Sequence, residues 1–362
     1  MSESAAPLVL LNAIGTTTAI WDGLVGPLAE RLRLIRVDTR GHGDAPPVHE
    51  PCGIADLGGD VVAALDKQGV DRAHIAGVSL GGMVAMWLAA HHPERVARLA
   101  LLSTSAQLPA ARWHERAATV RGGGIAAIAG PVVAGWITPA LAARDPELVA
   151  RLTDMLRSTD AESYARCCEA IAGMDLRADL PRIGAPTLVI AGAADQAIPV
   201  QHAHTIADGI AIARLSVLPD AAHIPTVEQA GPIAVRLLEH FTGGEATRRA
   251  VLGDAHVDLA TERTGEFSAP FQDLLTRYAW GEVWTRPGLQ RRERSLITLA
   301  VLTALGAEHE LAMHLRGALG NGVSLEEIRE VLLHTAVYAG LPRANRAFAI
   351  ADDVLHHDGS SK

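Results

Sequence analysis

Residues 74–86 read HIAGVSLGGMVAM and crowd three glycines around one serine where a helix should begin. Glycine inside a helix costs roughly 1 kcal/mol relative to alanine, so Gly77, Gly81 and Gly82 need a reason. Gly77-Val78-Ser79-Leu80-Gly81 fits G-x-S-x-G directly after an apolar run and directly before a helical pattern. That is the setting of a nucleophile elbow, a tight strand-to-helix turn that thrusts its serine out above a sheet edge. Side chains at 77 and 81 would collide with neighbouring backbone in such a turn, and the helix N-terminus helps stabilise negative charge nearby. A serine becomes a nucleophile only with a base beside it. Asp195, in LVIAGAADQAIP, directly follows an apolar run, and His223, in LPDAAHIPTVEQ, lies in a loop before a helical stretch. Singly they read as an idle serine, a helix cap and a surface histidine. Jointly they supply nucleophile, orienting acid and base. Asp220 competes for the role of acid but precedes His223 by only three residues, so Asp195 is preferred. The oxyanion hole of such a site takes the backbone N–H of the residue after the nucleophile, here Leu80, and one from the loop after the first strand. That loop reads LLNAIGTTTAIWD, and Ile14 is the expected donor.

A second constellation lies in EHELAMHLRGALGNG. Glu310 and His314 are four apart, so on a helix they share a face and can touch. A carboxylate beside an imidazole should raise its pKa and give an acid/base pair near neutrality, although such a pair also serves as a structural helix contact. His309 and His314 do not make a zinc site. H-E-x-x-x-H is one residue longer than H-E-x-x-H, and at 100° per residue its histidines point about 140° apart. A thiol mechanism is excluded as well, because no cysteine follows Cys168. Arg294 and Arg316 are candidates for gripping a carboxylate, since a guanidinium matches it bidentately. No metal and no cofactor is expected.

These residues must be held by elements that the hydropathy pattern outlines. Apolar runs at 8–11, 32–38, 73–77, 97–103, 187–192 and 213–219 read as strands, and helical spacing at 56–69 and 80–92 alternates with them. Such alternation implies a parallel sheet covered on both faces. From Gln107 to Leu180 only helical patterns occur, which suits a lid. After His240 the chain turns polar and glycine-bearing, as a linker would, and beyond it every pattern is helical. Ser324 followed by Glu327 is a capping box. The length of 362 residues suggests two domains, 1–243 with a lid at about 107–180, and 244–362 with an N-terminal linker. A hydrophobic share of 49% suffices for two cores. The net charge of −9 without a run of like charge argues against nucleic acid or an anionic membrane. Three cysteines, two of them adjacent, make no disulfide framework. With no basic segment before an apolar run at the start, a cytoplasmic protein is expected.

Asn12–Gly15, VDTRGHGDA, GVSLGG, GAADQAIP and AAHIP together resemble the α/β-hydrolase family over most of residues 5–242, with the chain order Ser79, Asp195, His223 of its triad. The N-x-x-G-T form of the first loop, with Trp21-Asp22 after it, resembles 3-oxoadipate enol-lactonases. ELAMHLRGALGNG and AVYAGLPRANRAF resemble the carboxymuconolactone decarboxylase family over roughly 255–356. Relatives in that family that act as peroxidase partners carry C-x-x-C where this chain has Ala307 and Glu310. The fold implied is an α/β-hydrolase with a helical lid, followed by an all-α domain. The resemblances imply consecutive steps: 4-carboxymuconolactone loses CO2, and the enol-lactone formed is hydrolysed to 3-oxoadipate. They also imply a catalytic role for His314 as proton donor with Glu310, small lactone carboxylates as substrates, and a homo-oligomer assembled through the helical domain. The competing reading is a monofunctional esterase or lactonase whose helical domain serves only assembly.

Overall fold

The computed structural model describes residues 6–48, 50–242, 244–265, 267–286 and 288–357. The chain divides into two compact units, Met1–Phe241 and Thr242–Lys362. In the first, β1 (Leu8–Leu11), α1 (Asp22–Ala29), β2 (Leu34–Val37), α2 (Ile54–Lys67), β3 (Ala73–Val78), α3 (Leu80–His91) and β4 (Val96–Leu102) alternate as the hydropathy pattern requires. Five helices follow: α4 (Ala110–Gly123), α5 (Ala126–Ala134), α6 (Pro139–Arg144), α7 (Pro146–Arg157) and α8 (Ala161–Ala172). Then β5 (Thr187–Gly192), α9 (Val200–Gly209), β6 (Ala213–Leu218), α10 (Pro225–Glu228) and α11 (Ala230–Phe241) complete the unit.

The six strands form one parallel sheet in the order β2-β1-β3-β4-β5-β6. Every residue of β1, β3 and β5 is buried, as strands covered on both faces must be. Strand order reverses between β1 and β3, and the crevice at the carboxyl ends of the strands there is where open α/β sheets bind ligands. Helix α3 is apolar around most of its circumference, and Leu80, Met83, Met86 and Leu88 are all at most 1% exposed. Each such side chain contributes about 1.5–3 kcal/mol relative to exposure, which anchors the turn before the helix.

The insertion is helical throughout. Its neck closes through the antiparallel bridge Gln107–Asp175 and the Leu176 N–H donated to Ala106 O at 2.8 Å. Local signals set its breaks. Asp145 caps α7 by accepting the Leu148 N–H at 2.8 Å, with Pro146 at the first helical position, and Asp160 caps α8 through the Ser163 N–H at 2.8 Å.

The second unit is all helix: α12 (Glu245–Leu252), α13 (Asp254–Glu262), α14 (Ala269–Leu274) running into a π-helical stretch Leu275–Val283, then α15 (Arg291–Leu305), α16 (Glu308–Gly320), α17 (Leu325–Ala339) and α18 (Leu341–His357). The capping box at Ser324 forms: its hydroxyl accepts the Glu327 N–H and the Glu327 carboxylate accepts the Ser324 N–H. Gly306 ends α15 at φ 71°. The polar stretch expected to be a linker is instead α12 and α13. Val251 and Val257 are 2% and 1% exposed, and a Cβ on Gly317 would meet the Val251 carbonyl. Two buried valines and the close approach of α16 at Gly317 hold this segment despite its polar composition. Leu299, Leu311, Leu315, Ile328 and Leu332 centre the core of the unit. Among the described residues no helix is long and apolar enough to cross a membrane.

Candidate active sites

The glycines around Ser79 are explained by contact. A Cβ on Gly77 would lie against Gly81 O and 2.6 Å from Gly82 N; one on Gly81 would lie 2.7 Å from Asn12 O; one on Gly82 would lie 2.7 Å from the Thr104 side chain. Ser79 itself sits at φ 54°, ψ −113°, a region that costs a non-glycine residue about 1–3 kcal/mol and persists only where surroundings over-determine it. They do so here. The Ser79 N–H donates to Leu102 O at 2.9 Å, its carbonyl accepts the Thr104 hydroxyl at 2.7 Å, and the Gly81 N–H donates to Asn12 O at 3.0 Å.

His223 Nε2 lies 3.0 Å from Ser79 Oγ, and His223 Nδ1 lies 2.8 Å from Asp195 Oδ2. The other carboxylate oxygen of Asp195 accepts the N–H groups of Ala197 and Ile198, each at 2.9 Å. The carboxylate is therefore fixed in orientation and accepts the Nδ1 proton, which leaves the Nε2 lone pair for the serine. Ser79, Asp195 and His223 are 2%, 5% and 5% exposed, so their hydrogen bonds act in a low-dielectric setting. Asp220 is exposed and makes no hydrogen bond with His223. The acid hydrogen-bonded to His223 is therefore Asp195, the one preferred from the sequence, and not Asp220.

The N–H groups of Ile14 and Leu80 find no hydrogen-bond acceptor among the described residues, and both residues are buried. The bond from Gly81 to Asn12 brings their two loops together. Side chains that carried no assigned role shape this corner. Asn12 Oδ1 accepts the Thr39 N–H at 2.8 Å, and the Gly15 N–H donates to His42 Nε2 at 2.8 Å. His42 Nδ1 faces Arg40 O at 3.1 Å. Burial pushes the His42 pKa down, which keeps the ring neutral with a free lone pair for Gly15. Glu228 was not foreseen either. Its carboxylate accepts the Ala222 N–H beside His223 and, at 2.7 Å, the Thr138 N–H of the lid. The Ile224 N–H also donates to Trp136 O at 2.8 Å. A lone glutamate on a short helix carries no sequence signal for such a strut.

In the helical unit the π-helical stretch widens the turn, with the Trp284 N–H reaching Ala279 O at 2.9 Å. It lays Trp280 and Trp284 along His314, with ring centroids 6.1 and 6.3 Å away at interplanar angles of 15° and 20°. The expected tuning of His314 is corrected here. Glu310 is exposed and forms no hydrogen bond with the ring, and its raising influence is outweighed by burial and by the charge of His256. The His314 pKa falls to about 4, so the imidazole is neutral at pH 7. His256, on α13, escaped notice because it lies in the stretch expected to be a linker. Arg294 donates from Nη2 to Arg286 O at 2.8 Å, so part of its fork is turned to backbone. Arg316 is exposed and acts through its charge on His256. Neither arginine is joined to His314 by a hydrogen bond. Among the described residues no group of three or more His, Cys, Asp or Glu is placed to hold a metal.

The depressed pKa of His314 has a testable consequence. The folded pKa lies below that of a free imidazole, so the unfolded chain takes up the proton first. The contribution of neutral His314 to stability is complete above about pH 6.5 and is lost as pH falls from there toward 4. The melting temperature of the helical unit is expected to fall between pH 7 and pH 5, and to fall less in His314→Gln. Parallel profiles for the two proteins would contradict the burial of this ring.

Residues 6–122 match the family model for the alpha/beta hydrolase fold, and residues 269–353 match that for the carboxymuconolactone decarboxylase family. The chain is 38% identical over 223 residues to 3-oxoadipate enol-lactonase 2 of Acinetobacter baylyi, covering 61% of this chain and 83% of the relative. It is 48% identical over 117 residues to 4-carboxymuconolactone decarboxylase of the same organism, covering 32% of this chain and 87% of the relative. Among solved structures it is similar to the enol-lactonase from Burkholderia xenovorans, with a TM-score of 0.64 at 36% identity, covering 67% of this chain and 94% of that one. The two family-model matches are consecutive and do not overlap. The chain is a fusion: its first two-thirds belongs to the α/β-hydrolase family and its last third to the carboxymuconolactone decarboxylase family.

Proposed function

We propose that the chain decarboxylates 4-carboxymuconolactone in its helical unit and hydrolyses the resulting 3-oxoadipate enol-lactone in its sheet unit. The observation that carries the hydrolytic half is the hydrogen-bonded chain Ser79–His223–Asp195, with two buried N–H groups without acceptors in the adjoining loops. Similarity along most of the length of an enol-lactonase and of a 4-carboxymuconolactone decarboxylase supports this choice of substrates.

In the sheet unit Ser79 Oγ attacks the lactone carbonyl while His223 Nε2 takes its proton, and Asp195 steadies the imidazolium. The N–H groups of Ile14 and Leu80 hold the tetrahedral oxyanion. The ring C–O bond breaks, and the enol leaving group collects the proton and becomes a ketone. Water activated by His223 then frees the acid from Ser79. In the helical unit the bond to CO2 breaks. Its electron pair spreads through the conjugated ring into the lactone carbonyl as a dienolate, and a proton is delivered to carbon. Being neutral, His314 serves as an N–H donor that holds the developing oxyanion, as a neutral imidazole does elsewhere, and relays a proton to carbon while its other ring nitrogen takes one from water. Glu310, at the exposed rim of the same helix face, sets the local charge. Arg294 on α15 and Arg316 on α16 are the residues assigned to the substrate carboxylates.

The helical unit also exposes large apolar side chains, including Val337, Tyr338 and Leu341 at 76%, 80% and 76%. This supports assembly of like chains through that unit, alongside catalysis. The test is to feed 4-carboxymuconolactone to the purified protein and follow products by NMR. Enol-lactone should appear and then give way to 3-oxoadipate. His314→Gln should slow the first step by about 10²–10⁴-fold, the usual span for a positioned proton-transfer group, and leave hydrolysis of supplied enol-lactone unchanged. A parent rate of decarboxylation in a folded His314→Gln protein would make that histidine structural.

A further inference from the structure

A cleft of about 280 Å³ opens between the C-terminal end of α15 and the N-terminal ends of α16 and α18, on residues that the proposed chemistry does not use. Its apolar wall includes Leu302, Leu311 and Ile350, and Thr303, Glu308, Arg343 and Arg346 supply its polar groups, two cations against one carboxylate. Thr303 is 1% exposed and its hydroxyl has no hydrogen-bond partner. That is anomalous for a helical threonine. Thr261 and Thr335 each return the hydroxyl proton to the carbonyl four residues earlier, at 2.8 and 2.7 Å. Thr303 does not, and a buried donor without an acceptor is costly.

The charges are unbalanced in the same place. Arg346 grips Glu308 with both arms of its fork, at 3.0 and 2.8 Å, and also feels the charge of Asp353. Arg343 has no ion-pair or hydrogen-bond partner among the described residues, and only its charge reaches Glu308, whose carboxylate is already held by Arg346. The Arg343 guanidinium lies over Gly306, where a Cβ would collide with Nη1.

We infer that this cleft is a binding site for a short-chain aliphatic carboxylate, whose head group is held by Arg343 and the Thr303 hydroxyl and whose chain lies along Leu302, Leu311 and Ile350. A planar guanidinium fork matches a carboxylate, and the apolar wall favours an organic acid over an inorganic anion. Leu311 and His314 lie on α16, but the rings stacked on His314 come from Leu275–Trp284, which contributes nothing to the cleft. The site is therefore separate from the His314 chemistry and does not rest on the reading given for it.

The full-length protein with labelled isoleucine methyl groups is titrated with adipate, with inorganic phosphate as the comparison at equal ionic strength. Ile350 lines the cleft, and its methyl signal reports on it. It should shift saturably with adipate and much less with phosphate. In Arg343→Gln the midpoint should rise at least about tenfold, the loss that removal of one charge-assisted hydrogen bond entails. Thr303→Val, nearly isosteric, should weaken binding severalfold, and Arg343→Lys should retain part of it. An Ile350 signal unmoved by tens of millimolar adipate, an equal response to phosphate, or an unchanged midpoint in a folded Arg343→Gln protein would each overturn the assignment.

Discussion

Ser79→Ala is expected to abolish lactone hydrolysis while 4-carboxymuconolactone still loses CO2, so that enol-lactone accumulates. Removal of a triad serine costs about 10⁶ in kcat where the effect has been measured, because the remaining partners have nothing to activate. The substitution leaves the fold intact. Alanine removes only the hydroxyl, and the bonds that pin residue 79 run through its backbone to Leu102 and Thr104. Alanine also carries the Cβ that the φ 54° turn already accommodates in serine. The measurement is a product time course from each substrate. Equal loss of both activities would mean that the two reactions share one site.

Asp195→Asn is expected to lower hydrolysis by up to about 10⁴-fold. Asparagine is nearly isosteric, so the Ala197 and Ile198 N–H groups keep an acceptor oxygen. The amide NH₂ then faces His223 Nδ1 and forces the ring into the tautomer with its proton on Nε2, toward Ser79. Such a ring cannot take the serine proton. Asp220→Asn is expected to leave the rate near that of the parent, since that carboxylate is exposed and makes no hydrogen bond with the ring. A reversed order of damage in kcat would transfer the role of acid to Asp220.

The contrast between the two units shows how sequence bears on site geometry. The Ser79 site was legible because each of its parts is tied to an element with its own local signal. A glycine-flanked turn admits one backbone path, and Asp195 and His223 follow strands whose apolar runs name them. The helical site was legible only in part. Spacing on α16 put Glu310 and His314 on one face, but spacing along one helix says nothing of what covers that face. The covering residues, Trp280, Trp284 and His256, come from a π-helical stretch and from a polar segment held by two buried valines. They remove water from His314 and reverse the direction of its expected pKa shift.

The sequence by itself determined the parallel sheet, the helical insertion, the nucleophile turn and the all-helical second unit, because strand and helix periodicity, glycine at tight turns and capping residues act over a few neighbouring positions. Tertiary structure alone decided how Glu228 joins the lid to the histidine loop, why Gly82 must face Thr104, and that His314 is neutral. Each of these depends on groups that are distant in the chain and close in space. Hydrogen bonding and desolvation are set by that proximity, and residue order does not encode it locally.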